Sequence, residues 1–415
     1  MPEFLNLLPP AQALDLLLEQ LNPQLQIEEI PAAEALNRIL VVPVIADAPL
    51  PPFARTTVDG YAVRARDTYG ASESLPAYLA LAGEVLMGAA PDLSLQAAQC
   101  ALIHTGGMLP GGADAVVMLE NTQIARAGEV EILKAVAVGE NVIAEGEDVR
   151  SGELVIPAGV TLRPAEIGGL MALGVTRVQV GRRPLVGILS SGDEVVPPES
   201  QTRPGQVRDV NAYTLSALVQ QAGGIPRRYG IIPDRLEVLQ SAARNALAEC
   251  DVVVITAGSS ASTRDLTAHV IAELGRPGVL VHGVNVRPGK PTILAVCNNK
   301  AVIGLPGNPV SALVIASLFV TPVLRALQGE PSPRPRARVS AVLTVNLASQ
   351  AGREDWIPVR LLMQPPTSGG RRFLAEPVFG KSNLIFTLAR ADGYVRIDPD
   401  ATGLSAGDSV EVLLY

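Results

Sequence analysis

Five carboxylates stand in Gly-, Ser- or Pro-flanked segments: Asp59 in TTVDGYA, Asp148 in GEDVRSG, Glu194 in SSGDE, Asp234 in IIPDR and Asp265 in STRD. Two or three of them brought together could hold Mg²⁺ with its waters and a substrate phosphate. Spacing along the chain does not show convergence, and each taken alone is a cap or turn residue before it is a ligand. The RPGKP turn at 287–291 places Lys290 between Gly and Pro, in a chain with four lysines (Lys134, Lys290, Lys300, Lys381). A cation in a rigid turn suits an oxyanion, although a solvated turn is an equal reading. It is not a Walker A loop: the span back to Gly283 is too long, and Pro291 stands where Ser or Thr would bind magnesium. GLPGNPVSA at 304–312 offers Asn308 as N-cap and Pro309 at the first helical position. Its helix N-terminus could face an anion with free N–H groups, or be an ordinary well-capped turn. Two Ser/Gly loops, SSGDE and TAGSSAS, follow apolar strands. In an open α/β sheet such loops are where ligands bind. No G-x-S-x-G elbow supports Ser–His–Asp hydrolysis.

These residues need elements to position them. Leu14, Leu17, Leu18 and Leu21 predict a helix over 11–21, ended by Pro23. A second short helix is expected over 32–40, then extended chain over 43–53. From 54 to 145, short runs such as AYLALAGEV and DAVVMLE alternate with Gly and Pro turns and read as a compact β-rich domain. Residues 146–181 read as turn, strand, helix at 164–173 and strand, and could return to pack beside the first helices. Over 184–327, unbroken apolar strands alternate with helices, including a loop at 257–264 and a helix at 265–274. That alternation predicts a parallel or mostly parallel sheet covered on both faces. PSPRPR at 331–336 reads as a stiff linker, and 337–415 as a small all-β domain.

The totals exclude several classes. At 415 residues, 48% of them apolar, the chain can bury several cores. A net charge of −8, one tryptophan, seven tyrosines and six phenylalanines argue against nucleic-acid binding. Three cysteines without C-x-x-C fit a reduced, cytoplasmic protein, and His104, His269 and His282 lack zinc-ligand spacing. The N-terminus has no basic n-region of a secretory signal. The uncharged stretch 301–324 is interrupted by Gly and Pro, so it reads as a buried core helix rather than a membrane span.

TTVDGYA, HTGGMLP, GEDVRSG, SGDE, RDVN, GIIPD, STRD, RPGKP and GLPGNPVSA occur in this order along the chain. In that combination the sequence resembles the molybdopterin molybdenumtransferases, bacterial molybdenum-insertion enzymes similar to the C-terminal enzymatic part of gephyrin. The resemblance implies a multidomain α/β plus β fold in four parts. An elongated, discontinuous helical and extended domain would span 1–50 and 146–183, with a β-rich domain inserted at 51–145. A three-layer α/β molybdopterin-binding domain at 184–328 and a small β-barrel-like domain at 333–415 would follow. It implies a homodimer whose active site lies between the α/β domain of one subunit and the β-rich domain of the other. The implied reaction inserts molybdenum from molybdate into adenylated molybdopterin and releases AMP, with Mg²⁺ assisting. A molybdopterin adenylyltransferase would be the donor of the adenylated pterin, and neither nucleic acid nor membrane would take part.

Residue by residue, the resemblance assigns Asp265, Asp59, Glu194, Asp234 and Asp148 as catalytic carboxylates, with Asp265, Asp59 and Glu194 toward the metal. Thr105 accompanies Asp59. Ser260, Arg287, Lys290 and Pro291 match molybdate- or phosphate-binding positions, Pro306, Asn308 and Pro309 a pterin-site loop, and Ser382 and Arg353 further oxyanion contacts. Here Ala257 and Ser262 stand where the family often has glycine, Arg287 where it has lysine, and Ala144-Glu145 where a basic residue commonly precedes G-x-D. A non-catalytic molybdopterin-binding carrier or scaffold is the rival these changes motivate. A nucleotide-processing hydrolase on the same α/β domain is a second.

Overall fold

The computed structural model describes residues 7–257, 261–331, 335–367 and 370–415, with the side chains of 261–265, 365–367 and 370–372 left out. It comprises two compact units, residues 1–29, 37–41 and 179–415, and residues 30–36 and 42–178. Each is taken by itself.

The first unit is built on a six-stranded sheet in the order Ile225–Ile232, Leu185–Ser191, Val252–Ala257, Lys300–Pro306, Ile293–Cys297, Pro277–His282. The first four strands are parallel; Ile293–Cys297 runs antiparallel to both neighbours. Alternate side chains of one strand feed opposite layers, as the pleat requires. Val252 and Val254 join a core with Leu215, Val219, Val314 and Phe319, while Val253 and Ile255 join one with Leu239, Ala243, Val270 and Ile271. Both faces are therefore covered by helices, which explains the unbroken apolar runs.

The helix Pro10–Leu21 buries Ala13, Leu17 and Leu21 in the first of these cores, against Val281, Val284, Leu294 and Val296. Its apolar stripe thus groups it with the α/β part rather than with residues 42–50. The last covering helix runs Pro309–Ile315, widens to a π-turn over Ala316–Val320 and continues as Thr321–Leu327. Pro322 has no N–H for the i−4 carbonyl, a local reason for the break in α geometry. The rod is long and apolar enough to span a bilayer by composition, but Ala312, Ile315, Phe319 and Leu324 are buried against the sheet. It is a core helix, as expected. The Ser-rich loop is shorter than expected, because the next helix starts at Ala261 rather than 265.

The C-terminal strands Arg338–Leu343, Glu354–Thr367, Gly370–Pro377, Gly393–Ile397 and Ser409–Leu414 close into a ring, since Glu354–Thr367 pairs with both Gly370–Pro377 and Gly393–Ile397. Val359, Val395, Ile397 and Val412 fill it. One more strand is grafted on from the α/β part. Val286–Arg287 pairs in parallel with Glu354–Asp355, a connection no local pattern predicts.

The second unit holds a six-stranded sheet, Ala115–Met118, Gly60–Val63, Gln99–Ile103, Ala77–Val85, Glu129–Ile132, Thr122–Arg126, with apolar clusters on both faces. Paired short segments follow: Val44–Ile45 with Leu154–Ile156, and Arg55–Thr56 with Val142–Ile143. The helix Pro164–Ala172 begins with a capping box in which Glu166 accepts the Arg163 backbone N–H. The helix expected over 32–40 is a single 3₁₀ turn, Ala32–Glu34. Beyond it, in residues that belong to the first unit, Asn37 takes a left-handed φ of 62° and Leu40 bridges Val180 in an extended pairing.

Candidate functional site

Three parallel strands of the α/β sheet end side by side at Ser190-Ser191, Thr256-Ala257 and Pro306. A cavity of about 390 Å³ opens there, lined among others by Ser190, Glu194, Asp209, Asn211, Thr256, Pro309 and Asn383. Carboxyl ends of strands in such a sheet are the expected place for a ligand. Asn211 donates its Nδ2 to the Gly307 carbonyl at 2.8 Å, which fixes the amide. Its Oδ1 and the Ser190 hydroxyl are buried and have no partner among the described residues. An orphaned acceptor and an orphaned hydroxyl in one cavity are ready for ligand hydrogen bonds. Neither was singled out from sequence; the available signals were the Asn of RDVN and the first Ser of SSGDE.

Glu194 lines this cavity, and its carboxylate folds back over Gly192, where a Cβ would lie 3.0 Å from Oε2. Asp234 accepts the Ser191 hydroxyl, and its backbone N–H donates to Asp193 Oδ1 at 3.2 Å. Ser260 lies outside the described residues, and of Asp265 only its place in the helix Ala261–Ala272 is described. Among the described residues no group of three or more His, Cys, Asp or Glu side chains forms a metal cluster. Glu194, Asp234 and the neighbouring hydroxyls are nonetheless all hard oxygen donors, which suits Mg²⁺ completed by substrate oxygens and water.

A second cavity, of about 880 Å³, shares Asn308 and Asn383 with the first. It collects Arg287, Lys290, Pro291, Pro306, Asn308, Arg353 and Ser382, seven of the expected positions from four separate stretches. Lys381 and Trp356 also line it, and neither was anticipated. Among the described residues, four basic side chains and no acidic one face this space, a field that concentrates anions. The RPGKP turn is pinned by Val284 N–H to the Lys290 carbonyl (2.9 Å) and by the Thr292 hydroxyl to the Gly289 carbonyl (2.6 Å). Gly289 has φ 115°, and a Cβ there would lie 2.3 Å from Ile315 Cγ1. Only glycine lets the turn press on the core helix so closely.

Asn308 departs from expectation. It makes no side-chain cap to its helix; its Nδ2 donates to Ser382 Oγ at 2.9 Å. The Val310 N–H donates to the Ser382 carbonyl at 3.0 Å. The helix start is therefore partly closed by the C-terminal domain, and fewer N–H groups are free for an anion than the motif suggests. Arg353 also departs. Its Nε and Nη2 donate to Asp355 at 2.7 and 3.0 Å, and Asp355, wholly buried, lies 3.6 Å from Arg287 Nη1.

In the second unit, pairing of Gly60 with Ile103 sets Asp59 beside Thr105. The Thr105 N–H and hydroxyl donate to Asp59 Oδ1 at 2.8 and 3.2 Å, with His104 Nδ1 at 3.7 Å. These donors, the Thr105 N–H first, hold the Asp59 carboxyl below its usual range. Asp148 lines a cavity of about 590 Å³ with Glu147 and Arg55. Arg55 supplies there a cation that Ala144-Glu145 does not.

Comparison with known proteins agrees with the fold. Residues 8–174 match the family described as MoeA N-terminal region (domain I and II), 187–326 the probable molybdopterin binding domain, and 340–415 the MoeA C-terminal region (domain IV). A protein of Nostoc sp. named molybdopterin molybdenumtransferase is 36% identical over 96% of this chain and 91% of its own. One of the same name from Haemophilus influenzae is 30% identical over 97% of each chain. The crystal structure of a molybdopterin biosynthesis moeA protein from Pyrococcus horikoshii superposes with a TM-score of 0.85 at 31% identity, covering 99% of this chain and 100% of that one. With matches along nearly its whole length, this chain belongs to the MoeA family of molybdenum cofactor biosynthesis proteins.

Proposed function

We propose that this protein is a molybdopterin molybdenumtransferase, which takes adenylated molybdopterin and molybdate, places molybdenum at the dithiolene sulfurs and releases AMP. One observation carries the reading: two cavities of opposite character meet at Asn308 and Asn383. The first, with its buried amide and hydroxyl, suits a hydrogen-bonding heterocycle. The second, with Arg287, Lys290, Arg353 and Lys381, suits a tetrahedral dianion. Holding both side by side lowers the entropic cost of joining them.

In this reading Lys290, with Pro291 and Ser260, and Arg353 with Ser382 hold the oxyanion, while Pro306, Asn308 and Pro309 shape the pterin side. Glu194, Asp59 and Asp265 hold Mg²⁺, with Asp234 and Asp148 as accompanying carboxylates. The metal would neutralise charge developing on the phosphate oxygens as AMP leaves. The chain works in the cytoplasm as a homodimer of four-domain subunits, divided as expected from sequence except that the helix Pro10–Leu21 packs with the α/β part. It receives its pterin from an adenylyltransferase. The metal role of Asp59 is supported by its geometry: its carboxylate is held through Oδ1 and its side chain is 55% exposed, open to a cation.

Single-turnover AMP release from adenylated molybdopterin, Mg²⁺ and molybdate tests the reading. Molybdate-dependent release is expected in the parent and lost in Asp265→Asn. Pterin binding without any AMP release would instead make the chain a carrier.

A further inference from the structure

Asp355 is a fully buried carboxylate between two arginines that belong to different domains. Arg353 lies in the bend just before the strand that begins at Glu354, and its guanidinium folds forward onto the Asp355 carboxylate. Arg287 stands opposite it in the parallel ladder of Val286–Arg287 with Glu354–Asp355. Arg353 spends Nε and Nη2 on the two oxygens of Asp355, so its remaining N–H groups have one fixed direction. Arg287, 60% exposed, approaches the same carboxylate at 3.6 Å. Arg287 and Arg353 both line the basic cavity, whereas Asp355 is buried and is not among its lining residues.

We propose that Asp355 is a positioning residue that clamps Arg353 and Arg287 into one fork, so that the cavity presents oriented donors to a tetrahedral dianion. A lone guanidinium pair would repel and spread; the shared carboxylate holds them together while Lys290 and Lys381 keep the cavity positive. This also gives a reason for arginine at 287: a lysine ammonium there could pair with Asp355 but would not keep a planar fork directed into the cavity. The proposal rests on the oxyanion reading of this cavity.

Isothermal titration of the full-length protein with molybdate alone tests it. Asp355→Asn should weaken binding about tenfold, and Asp355→Asn combined with Arg353→Lys should be no weaker than the weaker single variant, because both act on one fork. For Asp355→Asn alone, the loss should appear as a raised KM for molybdate in AMP release rather than as a lowered kcat, a split that a general loss of structure would not give. Unchanged affinity in a folded Asp355→Asn, or effects that multiply in the double variant, would overturn the clamp and leave the oxyanion site standing. If the parent binds no molybdate, the oxyanion reading falls and the clamp with it. Should Asp355→Asn not fold, the Arg287→Lys and Arg353→Lys pair carries the same test, with less-than-multiplicative loss expected and a multiplicative loss overturning it.

Discussion

Replacing Gly289 by alanine probes the link between backbone geometry and the anion site. The residue has φ 115°, and a new Cβ would meet Ile315 Cγ1 and Cδ1 at 2.3 and 2.4 Å. Holding a non-glycine residue in that backbone region costs about 1–3 kcal/mol. Forcing a methyl against the fully buried Ile315 costs a further ~1–3 kcal/mol. The two together, about 2–6 kcal/mol, are a large share of a typical domain stability of ~5–15 kcal/mol. Relief comes if the turn retreats until the carbons reach a normal separation of ~3.5–4.0 Å, a movement of more than about 1 Å. Lys290, the next residue, would be carried out of its place. Trp356, the single tryptophan, is 6% exposed, packs edge-on against Tyr394 and lines the cavity. Its fluorescence in a urea titration would report the stability loss, and calorimetry with molybdate a drop in affinity of at least about tenfold. A variant with the parent's urea midpoint and molybdate affinity would refute the argument that only glycine fits.

Two further substitutions have opposite signatures. Ser190→Ala removes a buried hydroxyl that has no described partner. Thermal melting should show unchanged or slightly raised stability, by up to about 1 kcal/mol, while fluorescence titration shows pterin affinity falling roughly threefold to tenfold. Glu166→Gln tests the cap of the helix Pro164–Ala172. Hydrogen bonds from Arg163 hold the Glu166 carboxyl down to about 2, from a usual 4.5. A depressed folded-state value gives stabilisation that is full above 4.5 and disappears as pH falls toward 2. Melts across pH should therefore show a parent-minus-variant difference at pH 6 that vanishes near pH 2; a difference independent of pH would refute the assignment.

The elements that were legible carry their signal locally. AYLALAGEV is a strand over its full length, Ala77–Val85, and the leucines at 14, 17, 18 and 21 mark a helix whose stripe is buried. Where the local pattern misleads, the deciding partner lies far along the chain. Asn308 has every local mark of an N-cap, yet its amide is taken by Ser382, 74 positions later. The helix expected after Ala32 was lost because Leu40 finds a strand partner at Val180. Lys290 could be named from its motif and Arg353 from the family resemblance, but the carboxylate between Arg353 and Arg287 could not. Asp355 is one acid in a strand until the ladder sets Arg287 opposite it.

That ladder has a consequence for how the molecule breathes. Val286 and Arg287 lie in the stretch of chain that builds the α/β sheet, but their pairing is with Glu354 and Asp355 of the barrel. In native-state hydrogen exchange such a segment follows the cooperative unit it is bonded to. A barrel that opens transiently takes the front of the RPGKP turn with it, even while the six-stranded sheet stays intact. The lifetime of the closed barrel therefore sets a ceiling on the lifetime of the proposed anion site once assembled. A destabilising change deep in the barrel core, at Val359 or Val412 for instance, would shorten the site's residence without touching a residue that lines it.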